Sequence, residues 1–86
     1  MQFLEVQISS DPLKAGADIG RVTHELIKKT ASDSSDPTAY RKILALTMSH
    51  MLGEVTGEMG IEGGRVLLQT MNIALDQMES AAATKH

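Results

Sequence analysis

Two apolar seams flank a glycine cluster in the second half of this chain, and no other feature restricts its fold as much. Leu44, Met48, Met51 and Val55 recur at steps of three and four before the cluster. Ile61, Gly64, Leu68, Met71, Leu75, Met78 and Ala82 do the same after it. That spacing sets each group along one side of a helix, where it can lock against a facing helix. Residues 57–64 hold Gly57, Gly60, Gly63 and Gly64, so the chain has a place to reverse between the seams. The pattern predicts an antiparallel helical hairpin.

The helix starts are written in the sequence. Asp11-Pro12 and Asp36-Pro37 each pair an N-cap acid with a proline at the first helical position, where its missing N–H would be unbonded anyway. Ala15, Ile19, Val22 and Leu26 then give the first helix a narrow apolar stripe. Gly16 and Gly20, one turn apart on that helix, predict a close helix crossing. Tyr40, Ile43, Leu44, Thr47, Met48, Met51 and Val55 spread over a much wider arc of the second helix, with Leu46 and Leu52 outside it. A helix so broadly apolar has more than one neighbour. Before the first helix, Leu4, Val6 and Ile8 alternate with Phe3, Glu5 and Gln7, the period of a half-buried strand. The expected fold is mainly α: a short N-terminal strand (2–8) and three helices (12–30, 37–59 and 62–82). The last two form the C-terminal antiparallel hairpin, all within one small domain, 1–86.

Composition narrows the function. A net charge of −3, with acids and bases interspersed, leaves no electrostatic footprint for nucleic acid or an anionic membrane surface. No cysteine is present, which rules out a disulfide scaffold and a thiolate metal site. No stretch approaches the ~20 apolar residues of a transmembrane helix, and the N-terminus lacks the pattern of a signal peptide. A cytoplasmic protein is expected.

The best cluster of metal-ligating types is His50, Glu54 and Glu58, at i, i+4 and i+8 on one line of the second helix. An imidazole and two carboxylates so spaced can contribute to a divalent metal site if another helix completes it, with Asp76 and Glu79 as the available acids. Glu54, Glu58, Asp76 and Glu79 give the chain a resemblance to the all-α nucleotide pyrophosphatases of the MazG type. There, acidic residues on neighbouring helices hold magnesium. The Glu-x-x-Glu spacing expected on the first of those helices is absent. Acids at helical spacing ordinarily form a solvated face, so no metal, cofactor or catalytic residue is expected. The glycines before Arg65 resemble an anion cradle, but the lysine and hydroxyl of a P-loop are missing and Glu62 intrudes. His24 has no nucleophile or acid to work with. Met48, Met51, Met59, Met71 and Met78 concentrate around the hairpin, as core filling or as an adaptable groove.

These readings converge on a small non-enzymatic protein–protein interaction module, an adaptor, inhibitor or regulatory subunit, acting as a homodimer with a further protein partner. Its expected interface is Leu4, Val6 and Ile8 on the strand, with Leu46 and Leu52 on the second helix. The alternatives are a metal-dependent all-α nucleotide pyrophosphohydrolase and a ribbon–helix–helix DNA-binding regulator, the latter reading bases with Phe3, Glu5 and Gln7.

Overall fold

A computed structural model of the chain describes residues 7–83. It contains two helices, α1 (Pro12–Ser32) and α2 (Ala39–Ala83), and no strand among the described residues. The expectation of three helices behind an N-terminal strand is therefore corrected on both counts.

The strand fails at its described end. Most of the segment expected to form it, including Leu4 and Val6, lies outside the described residues. Gln7 and Ile8 have no regular structure. Just beyond them, the Ser9 N–H donates to Asp18 Oδ2 at 3.1 Å and the Asp11 N–H to Ser9 Oγ at 3.1 Å. The backbone donors of Ser9 and Asp11 are thus taken by nearby side chains, and the segment leads directly into α1.

The third helix fails for a different reason. The glycine cluster was expected to form a turn between two helices, yet a single residue leaves helical geometry. Gly60 sits at φ 78° and ψ 175°, inside α2. Helix resumes at once at Ile61, and Gly63 and Gly64 are helical.

The chain divides into two compact units, residues 1–47 and 48–86. In the first, α1 packs on the opening turns of α2. Pro12 occupies the first turn of α1, and Asp11 precedes it in extended conformation, making no side-chain cap. The Ala15 N–H instead closes on the Asp11 carbonyl at 2.7 Å. Ile27 on α1 and Ala39 on α2 are buried. His24 Nε2 and the Tyr40 hydroxyl share a hydrogen bond of 2.6 Å, their rings meeting edge to face at 5.8 Å. A Cβ added at Gly16 or Gly20 would meet nothing within 4 Å, so the close crossing expected there is not made. Asp36 organises the start of α2. It accepts from the Thr38 N–H at 2.8 Å, the Thr38 hydroxyl at 2.7 Å and the Lys42 ammonium at 2.7 Å.

In the second unit α2 doubles back at Gly60. A Cβ on Gly64 would lie 2.8 Å from Thr56 Oγ1 and 3.6 Å from a Leu52 methyl. Twelve residues of uninterrupted helix would separate positions 52 and 64 by ~18 Å, so the approach requires the reversal. A Cβ on Gly63 would collide with Met59 Cβ. The two glycines let the arms on either side of Gly60 come together with no side chain between them.

Candidate interaction surface

Folding back at Gly60 creates an apolar cleft of about 350 Å³. Met48, Met51, Leu52 and Val55 form one wall, Leu67, Leu68 and Met71 the other, and Ser49 is the only residue of polar type in the lining. A second, more open hollow of about 510 Å³ continues along the C-terminal arm past Asn72, Ala74, Leu75 and Met78. The two share Leu68 and Met71, so they form one apolar track.

The C-terminal arm presents this track because of how it is rotated. Gly64 is buried, and Gly63, Leu67 and Ala74 are half-buried. Apart from Gly64, the seam read from the sequence is instead open. Leu68 is 51% exposed, Leu75 62% and Met78 65%, with Ile61 at 62%. Met71, at 42%, sits between the two sets. Leu75 therefore does not form the centre of an internal seam. Sequence reasoning missed Leu67 and Ala74, and the signal that could have found them was small residues. A close approach needs Gly or Ala at the contact, and Gly63, Gly64 and Ala74 fall on the same side as Leu67.

Of the expected interface residues, Leu4 and Val6 lie outside the described residues. Ile8 is 44% exposed in the irregular segment before α1, and Leu46 is 71% exposed on α2. Leu52 is half-buried in the cleft beside Gly64.

The metal-ligating candidates do not assemble. His50 Nε2 and Glu54 Oε1 stand 3.4 Å apart one turn along the helix, with side chains 79% and 70% exposed. Glu58, Asp76 and Glu79 are exposed. Among the described residues no three of His, Cys, Asp or Glu come together in a way that could hold a metal ion. Arg65 Nε lies 3.8 Å from Glu62 Oε1, so the arginine of the supposed anion cradle already faces a carboxylate. Lys28 pairs with Glu25 at 3.0 Å and Lys42 with Asp36 at 2.7 Å.

Two carboxylates are perturbed, both in the first unit. The Ser9 N–H, followed by the Arg21 guanidinium, holds Asp18 below the ordinary carboxylate value. Lys42, followed by the Thr38 N–H and hydroxyl, does the same for Asp36. Each is a half-buried structural contact, and neither residue lines the apolar cleft.

Comparison with protein-family models, with curated proteins and with solved structures finds no match to this chain. The resemblance carried by the four acidic residues gains no support from that comparison. No described helix is long and apolar enough to cross a membrane.

Proposed function

We propose that this chain is a non-enzymatic interaction module that works as a homodimer through the apolar track on α2. One observation carries the reading. Among the described residues only Ile27, Ala39 and Gly64 are buried, while the track on the C-terminal arm stays open along its length.

Ordering each residue costs roughly 1–2 kcal/mol of backbone entropy, which three buried residues cannot offset. Small domains meet that cost with disulfides, metals or association. This chain has no cysteine, which removes the first means. Contiguous exposed apolar surface, here lined by adaptable methionines, is the mark of an association site. The reading rests on this track and not on the N-terminal segment, most of which lies outside the described residues.

Sedimentation or light scattering of the full chain tests the proposal. A dimer is expected, and Leu68→Glu, which places a charge at the middle of the track, is expected to shift it to monomer. A monomer at every accessible concentration, with its helix content intact, would overturn it.

A further inference from the structure

The C-terminal arm holds information about how a second copy would lie on it. Ile61, Gly64, Leu68, Met71, Leu75, Met78 and Ala82 follow a strict three-four alternation, the repeat of a coiled-coil seam. The residues flanking that seam differ in kind. On one side stand Leu67 and Ala74, both half-buried. On the other stand Arg65, Asn72 and Glu79, all exposed. The seam thus lies between a side already occupied by the chain's own arm and a polar side that is open. In four-helix packing each helix has two neighbours, and here the second is missing.

We infer that the missing neighbour is the same arm of a second copy, running antiparallel about a twofold axis beside Asn72. This rests on the homodimer reading above and specifies its geometry. Antiparallel pairing brings like flanking positions together. Centred on Asn72, it sets Arg65 of each copy against Glu79 of the other, because the two are equally spaced, seven residues to either side. The twofold makes that pair twice. Asn72 meets its own symmetry mate, and a carboxamide both donates and accepts, so the two amides satisfy each other. In the same register Leu68 packs on Met78 of the second copy and Met71 on Leu75, so large exposed side chains meet large ones. Parallel pairing would instead bring Arg65 beside Gly60 or Leu67 and Glu79 beside Ala74, with no complementary charge.

Leu68, Met71, Leu75 and Met78 on the seam and Met48 and Met51 in the cleft are 38–65% exposed, so the surface offered is apolar along its length. An isologous contact of this kind closes on itself and ends at two copies.

The absence of native cysteine makes the register directly readable. In the full chain, Asn72→Cys is expected to form a disulfide-linked dimer on mild oxidation, and Ala82→Cys is not. Arg65→Cys mixed with Glu79→Cys is expected to cross-link as a heterodimer. Arg65→Glu should weaken the dimer about tenfold or more, since two rim pairs become two repulsions. Adding Glu79→Arg in the same chain should restore it, a rescue that loss of the internal Glu62 contact would not give. Cross-linking of Ala82→Cys without Asn72→Cys, or an absence of charge rescue in a chain that still dimerises, would overturn the antiparallel register and leave the homodimer standing. A monomeric chain would remove both.

Discussion

At the scale of single residues, Gly60 and Gly64 do different work. Gly60 combines a positive φ with extended ψ, a region essentially closed to residues with a Cβ. Gly60→Ala should therefore destabilise the second unit by ~1–3 kcal/mol, measured by chemical denaturation at low protein concentration. Gly57 is helical, and a Cβ there would meet nothing within 4 Å, so Gly57→Ala should stabilise by ~0.4–1 kcal/mol. The opposite signs are the test; a shared sign would mean that the reversal is not at Gly60. Asp36 offers a test by pH. Its carboxyl is held below the ordinary value of 3.8, chiefly by Lys42. A depressed carboxylate contributes stability that is present above the unfolded value and lost as pH falls through the folded one. Lys42→Met should raise the Asp36 pKa toward the ordinary value, read by carbon-detected NMR titration of the carboxyl. An unchanged titration would show that the two Thr38 donors alone hold it down.

Elements show what sequence periodicity can and cannot decide. Helical character was legible over the greater part of α1 and α2, because the apolar spacing and the two Asp-Pro starts admit little else. The rotation of the C-terminal arm was not. Hydrophobic spacing marks every position that avoids water, without separating those facing the chain's own arm from those left for another molecule. Leu75 and Leu67 look alike in sequence, and only the glycine contacts reveal which side is internal. The glycine cluster was legible as a reversal, but its reduction to one residue was not, since glycine is compatible with both helix and turn. Conversely, alternation near the N-terminus suggested a strand, since so short a span fits either period, yet its described end, Gln7 and Ile8, has no regular structure. Acids at helical spacing suggested ligands where the helix simply presents a solvated face. Burial in the first unit leads to a comparison within α1. Ile27, 4% exposed, should cost ~2–5 kcal/mol on truncation to Ala. Leu13, 87% exposed on the same helix, should cost less than ~0.5 kcal/mol. Thermal unfolding followed by circular dichroism distinguishes them, and equal costs would mean that α1 is turned differently on α2.

For the whole molecule, folding and association become one equilibrium if the open track is covered by a second copy. The melting temperature should then rise by ~3–6 °C for each tenfold increase in protein concentration, as two copies unfold together. A melting temperature independent of concentration would separate the two processes. The single-residue reversal has a consequence of its own. Every contact that Leu52 and Thr56 make with the returning arm can be made equally well with the returning arm of another molecule. What keeps the contact within one chain is one glycine in a conformation that other residues avoid. Such a short connection is the circumstance under which proteins trade identical segments. If residue 60 became helical, α2 would run straight through, and two chains would satisfy each other by exchange. Gly60→Ala, destabilising when dilute, should on concentration yield interlocked pairs that dilution separates only slowly, since release requires both chains to open.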